Sequence, residues 1–134
     1  MTYINAPVHD LLIRIKNAYM ARKASVDYVP FSNFKVNILE LLKQYGFIQK
    51  FDVVTEGAKR HINIFLKKVV NPVNDVPNIK FFSKPSRPRY VSYKNITSVA
   101  WGKGIGIIST NQWLMPAHVA KQKKLGGELI AEIY

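Results

Sequence analysis

The stretch YGFIQKFDVVTEGAKRHINIFLKK, Tyr45–Lys68, decides the fold class, because the period of its apolar residues changes inside it. Leading into it, Val36, Ile38, Leu41, Leu42 and Tyr45 recur at helical spacing until Gly46 stops the run. Ser32 is a natural N-cap for that helix, since its hydroxyl can accept from a backbone N–H of the first turn. Beyond Gly46 the period is two. Phe47 to Val54 alternates loosely, Thr55-Glu56-Gly57-Ala58 supplies a turn, and Ile62, Ile64 and Leu66 share one face of a strand from His61 to Lys68. Working back, Val26 to Val29 is a short strand ending at Pro30. Pro7 to Arg22 is a helix burying Val8, Leu11, Leu12, Ile15, Ala18 and Tyr19, with Asp10, Arg14, Asn17 and Ala21 on its other side. The amino-terminal part therefore reads as a hairpin against two helices.

Forward of the hairpin, Asn71-Pro72-Val73-Asn74-Asp75-Val76-Pro77 breaks both periods and is the best boundary. Past it the sequence predicts a strand from Ile79 to Ser83, a Pro-rich basic bend from Lys84 to Arg89 and a strand near Tyr90 to Tyr93. A further strand follows from Ile105 to Thr110, then a short helix from Pro116 to Lys124 ending at Gly126-Gly127, and a closing strand from Leu129 to Tyr134. The fold class is α+β, with an N-terminal subdomain at 1–75, a pair of helices on a short sheet, and a C-terminal mixed α/β subdomain at 76–134. No internal repeat is present.

Charge narrows the partner. Of the 134 residues 20 are Lys or Arg and 8 are Asp or Glu, giving a formal net charge of +12. Hydrophobic residues make up 48%, too many for a disordered basic tail. The interval from Val76 to Gly127 holds Lys80, Lys84, Arg87, Arg89, Lys94, Lys103, Lys121, Lys123 and Lys124 without one acidic residue. Such a segment repels itself when folded, and a phosphate backbone is the commonest compensating partner. Cysteine is absent, which removes disulfides, thiolate metal sites and cysteine nucleophiles together. The longest uncharged stretch, Gly104 to Ala120, is interrupted by Ser109, Thr110, Asn111, Gln112, Pro116 and His118, too polar for hydrocarbon. The first basic residue is Arg14 and no small-residue cleavage site follows, so no signal peptide is expected.

Catalytic and cofactor motifs fail on context. Gly102-Lys103-Gly104-Ile105-Gly106 precedes β-branched Ile107-Ile108, where a dinucleotide loop needs a helix, so the glycines read as a turn or bulge. His9, His61 and His118 lie at spacings no metal site uses, and no nucleophile–base–orienter set can be named. No cofactor, small-molecule substrate or enzymatic activity is expected. Ser83-Lys84-Pro85-Ser86-Arg87-Pro88-Arg89-Tyr90 is more informative: prolines preorder it, Lys84, Arg87 and Arg89 supply cations, and Tyr90 offers a stacking face. Ser109-Thr110-Asn111 ends an apolar strand with three neutral hydrogen-bonding side chains. These suit base edges and 2′-hydroxyls, although the same residue types also populate ordinary turns.

Taken in order, six stretches resemble the bacterial-type small-subunit ribosomal protein eight family over nearly the whole chain. They are Pro7-Val8-His9-Asp10-Leu11-Leu12-Ile13-Arg14-Ile15-Lys16-Asn17-Ala18, Pro30-Phe31-Ser32-Asn33-Phe34-Lys35, Tyr45-Gly46-Phe47-Ile48, Ser83-Lys84-Pro85 with Tyr90, Gly104-Ile105-Gly106-Ile107-Ile108-Ser109-Thr110 and Leu125-Gly126-Gly127-Glu128-Leu129-Ile130. The resemblance implies two α+β subdomains that both touch small-subunit ribosomal RNA, the carboxy-terminal one gripping a bulged helix in the central domain and helping it assemble. By the same resemblance Ser109 and Thr110 contact bases or sugars, with Tyr90 and Glu128 beside them, and Asn111, at a family Ser position, keeps the hydrogen-bonding capacity for RNA. Arg14, Asn17, Ser32 and Lys35 face a second RNA segment. Lys84, Arg87, Arg89, Lys121, Lys123 and Lys124 add the basic surface, and neighbouring small-subunit proteins are further partners. The expected location is a cytoplasmic or organellar ribosome. Asn111 replaces a family Ser, Ser86 a Gly and Ala6 an acidic residue, while Trp113-Leu114-Met115-Pro116-Ala117 departs from the family's loop before the last helix. A free RNA- or DNA-binding regulator using the same basic surface is the competing expectation.

Overall fold

A computed structural model describes residues 5–69, 76–82, 87, 89–97, 104–112 and 114–134. The chain divides into two compact units, one of Asp10–Pro77 and one of Met1–His9 with Asn78–Tyr134. Both mix helix with antiparallel sheet, the α+β class expected.

The first unit holds helix α1 (Asn5–Met20) from Asp10 onward, then strand β1 (Ser25–Pro30), helix α2 (Asn33–Gln44) and the hairpin β2 (Lys50–Glu56) and β3 (Lys59–Phe65). Strand order is β1-β3-β2. Every apolar position expected of α1 is buried, as are Ile62, Ile64 and Leu66 of β3 and its extension. Helix α2 buries Ile38, Leu39 and Leu42, while Val36 and Leu41 are only half-buried. The expected cap is present: Ser32 is extended, and its Oγ accepts from the Lys35 backbone N–H at 3.1 Å. The hairpin sits later on β2 and earlier on β3 than the alternation suggests. The ladder runs from Lys50↔Phe65 to Glu56↔Lys59, so Thr55 and Glu56 pair as strand and only Gly57-Ala58 turn. Gly57 there has φ +61°, a conformation that strains residues with a Cβ. Upstream, Phe47 is held out of the ladder because its carbonyl accepts from the Tyr19 hydroxyl at 2.5 Å. The same hydroxyl accepts from the Lys67 N–H at 3.2 Å, tying α1 to both flanks of the hairpin.

The second unit is a five-stranded antiparallel sheet of β4 (Ile79–Phe81), β5 (Tyr90–Val91), β6 (Ile105–Thr110), β7 (Leu114–Pro116) and β8 (Gly127–Ile133). Order is β4-β8-β6-β7, with β5 also on β8. Among the described residues a 3₁₀ turn (Tyr93–Asn95) and helix α3 (Ala117–Gln122) accompany it. Ile96, Ile108, Met115, Ala117 and Ala120 form a buried cluster, edged by Val91, Tyr93, Val119 and Leu125. At the start of α1, the His9 ring lies 4.4 Å from that of Phe81.

Several boundaries differ from expectation: β4 ends at Phe81 and β5 at Val91, with Tyr93 in the 3₁₀ turn. Leu114–Pro116 is a strand, fully buried, where the sequence suggested only a loop before a helix. Pro116 stays extended, so α3 starts one residue later, and Lys124 at φ +57° lies beyond its end. Gly127 and Glu128 are the first residues of β8 rather than the tail of a helix stop. The expected boundary residues 71–75, the turn glycine Gly102, Lys84 and Trp113 lie outside the described residues.

Candidate nucleic-acid interface

Strand β8 organises the site, because β6 and β5 both pair with its first residues. The β6–β8 register shifts between Ile107 and Ile108, with Ile130 of β8 as the extra, bulged residue: Ile107 opposes Ala131, whereas Ile108 opposes Leu129. Without that extra residue Thr110 would face Glu128. With it Ser109 faces Glu128 and Thr110 faces Gly127. On the other edge of β8, Tyr90 faces Glu128 and Val91 faces Gly127. Tyr90, Glu128 and Ser109 thus form one row across three strands, with their side chains on a common face.

The row is closely set because the chain has no side chain at its crossing point. A Cβ on Gly127 would fall 2.2 Å from the Ser109 carbonyl oxygen and 3.1 Å from the Thr110 Cα. One on Gly126 would fall 2.7 Å from the Val91 carbonyl oxygen. Both obstacles are backbone and cannot rotate aside. The two glycines therefore permit the approach that lines up Tyr90, Glu128 and Ser109.

Exposure along the row is graded. Tyr90 is 66% exposed, Ser109 and Thr110 are half-buried, Asn111 is exposed and Glu128 is 6% exposed. The Gln112 N–H donates to Thr110 Oγ1 at 3.2 Å, so the triplet ends the strand in a side-chain-braced bend. The turn expected of these residue types is present, and it leaves Asn111 exposed. Arg87 and Arg89 are exposed; the Arg89 carbonyl accepts from the Leu129 N–H at 2.9 Å beside the row, and its guanidinium lies 5.3 Å from the Phe82 ring centroid. Lys121, Lys123 and Lys124 lie around the end of α3, with Lys121 Nζ donating to the Ile96 carbonyl at 2.8 Å. That bond tethers one cation while Lys123 and Lys124 are exposed.

In the other unit, Arg14, Asn17, Ser32 and Lys35 come from α1 and the start of α2. Arg14 Nη2 donates to the Asp27 carbonyl at 3.1 Å, and Lys35 Nζ to the Pro30 carbonyl at 3.1 Å. Ser32 Oγ is engaged as the cap. Partial burial, joined by the like charge of Arg14, lowers the Lys35 pKa below its ordinary 10.5, while Asp10 opposes the shift. A further basic opening, lined by Arg22, Lys23, Lys67 and Lys68 with Gln49 and Leu66, was not singled out from sequence. Its signal was available in the doublets Arg22-Lys23 and Lys67-Lys68. Among the described residues no three His, Asp or Glu side chains are grouped to hold a metal ion, and no helix is long and apolar enough to cross a membrane.

A strongly basic α+β chain whose polar groups converge on strand ends fits the class of ribosomal proteins, and comparison with known proteins specifies which. The profile of the ribosomal protein S8 family matches residues 6–134. The chain is 40% identical to the small ribosomal subunit protein uS8 of Lactobacillus delbrueckii subsp. bulgaricus, covering 96% of each. It is 39% identical to that of Dictyoglomus turgidum over 98% of each, and 39% identical to that of Mycoplasmopsis pulmonis over 100% of each. The chain belongs to the ribosomal protein S8 family, and the resemblance carried by its motifs is confirmed.

Proposed function

We propose that this protein is a non-enzymatic structural component of the small ribosomal subunit that binds small-subunit ribosomal RNA in its central domain and helps that domain assemble. The observation that carries this reading is the row Tyr90–Glu128–Ser109 with the Thr110-Asn111 bend beside it, in a unit whose charged residues from Val76 to Gly127 are all basic. Two layers of recognition follow. Arg87, Arg89, Lys84, Lys121, Lys123 and Lys124 attract phosphate without regard to sequence. Ser109, Thr110 and Asn111 contact base edges or 2′-hydroxyls, Tyr90 stacks, and Glu128 holds the centre of the row. Arg14, Asn17, Ser32 and Lys35 face a second RNA segment. Neighbouring small-subunit proteins complete the environment of the assembled particle.

Sucrose-gradient sedimentation of a cell extract tests the role. A structural component co-sediments stoichiometrically with small subunits and stays there in moderate salt. A protein found mainly at the top of the gradient is a free regulator, and the reading fails.

A further inference from the structure

We infer that Tyr28 is a stacking platform for an unpaired RNA base, a contact in the Asp10–Pro77 unit separate from the Tyr90–Glu128–Ser109 row. The inference rests on the RNA-binding reading above and extends it to a residue that no motif singled out.

Tyr28 lies inside β1 at φ +58°, a left-handed conformation that residues other than glycine seldom adopt and that costs an aromatic residue strain. It falls where the β1–β3 register breaks between Val26 and Val29. The distortion is held in place: the Tyr28 N–H donates to Asn63 Oδ1 at 3.2 Å, so a side chain on the neighbouring strand replaces the missing ladder bond. What the bulge achieves is display. The Tyr28 side chain is 71% exposed, the most exposed of the large hydrophobic residues described. One part of its ring is braced by His61, with centroids 4.9 Å apart and planes inclined at 37°. A strained backbone that presents a braced aromatic ring to water is given a physical reason by a partner that lands on it.

The surroundings select a nucleic acid. Cations are attached along the same short segment: Arg14 to the Asp27 carbonyl and Lys35 to the Pro30 carbonyl. Arg60 lies 4.2 Å from the Phe31 ring centroid. The nearby carboxylate, Asp27, accepts from Ser25 Oγ at 3.4 Å. An aromatic platform flanked by cations matches single-stranded RNA, in which bases stack and phosphates pair with Arg and Lys. A duplex keeps its bases stacked on one another and gains nothing from the ring.

The test uses full-length Tyr28→Leu, Tyr28→Gly and Tyr28→Trp, titrated with an unstructured oligouridylate, a blunt RNA duplex and the bulged ribosomal hairpin. Leu and Gly should weaken oligouridylate binding by about fivefold or more. Trp should restore it, and all three should bind duplex and hairpin like wild type. Tyr28→Gly also relieves the backbone, so it should melt no lower than wild type, separating lost stacking from lost folding. Unchanged oligouridylate binding in Leu and Gly overturns the inference while leaving the reading of the Tyr90–Glu128–Ser109 row intact. Equal losses on every RNA overturn it as well. So does intact RNA binding joined to loss of a neighbouring protein during subunit reconstitution, which would make Tyr28 a protein anchor. If wild type ignores the bulged hairpin itself, the parent reading fails and takes this one with it.

Discussion

Gly127→Ala is the sharpest perturbation the fold offers, because it adds one carbon and alters no charge. That carbon would sit 2.2 Å from the Ser109 carbonyl oxygen and 2.9 Å from the Ser109 carbonyl carbon. A comfortable non-bonded contact of this kind lies near about 3.5 Å. The two strands must therefore separate by about 1 Å, and since both sides are backbone, no rotamer change absorbs it. Overpacking of this sort costs about 1–3 kcal/mol. For a chain of this length each kcal/mol lowers the melting temperature by roughly 3–5 °C. The displaced strand end carries Ser109 and Thr110, so RNA affinity should fall by more than the folded fraction does. Losing one hydrogen bond to a partner left unpaired costs about 1–3 kcal/mol, roughly fivefold to 150-fold in Kd. Circular dichroism melts and filter-binding titrations of the same preparation read both effects. Gly57→Ala is the control: it has φ +61° but nothing within 4 Å of the added Cβ, so it should lose stability without losing RNA affinity. If Gly127→Ala melts and binds like wild type, the close approach of β8 to β6 does not set the site.

Tyr19→Phe removes a buried hydroxyl that bonds both the Phe47 carbonyl and the Lys67 N–H, and should cost about 1–3 kcal/mol in urea denaturation at neutral pH. Burial raises the Tyr19 phenol above its ordinary 10.0, with the Lys67 N–H pulling weakly the other way. The unfolded chain therefore ionises first as pH rises past 10.0, and stability held below that pH is lost as pH climbs through the folded-state pKa. The gap between wild type and Tyr19→Phe should narrow in that alkaline range and stay constant between pH 7 and 9. Ser32→Ala abolishes the bond to the Lys35 N–H and should destabilise by about 0.5–2 kcal/mol, read as a lower urea midpoint. Lys123→Ala, exposed beyond α3, should weaken binding to all RNAs alike and flatten the salt dependence by about one phosphate contact, measured by filter binding.

The helical faces of α1 and the inward face of β3 were legible because burial follows period, and period is written in the residue spacing. Ser32 was legible as a cap because hydroxyls beside a first helical turn have one dominant use. Less of β7 and β8 could be read. Leu114-Met115-Pro116 is too short to show an alternation, and its strand character comes from pairing with Ile107 to Ser109. Gly126-Gly127 reads equally well as a helix stop, and only the Ser109 and Val91 carbonyls reveal that glycine is needed for closeness. The neutral hydrogen-bonding triplet was visible as a chemical type, but the alignment of Ser109 with Tyr90 and Glu128 depends on the bulge at Ile130, which leaves no mark in the sequence. Tyr28 was silent for a similar reason: its φ is imposed by Asn63, 35 residues away.

The division of labour between hydroxyls and cations is tested most directly by one salt-series titration of Thr110→Val against the bulged ribosomal hairpin and its fully paired counterpart. Wild type should prefer the bulged form, and the valine variant should lose that preference while keeping the wild-type salt slope. An unchanged preference for the bulge, or a loss that appears equally on both RNAs together with a flatter slope, would contradict it.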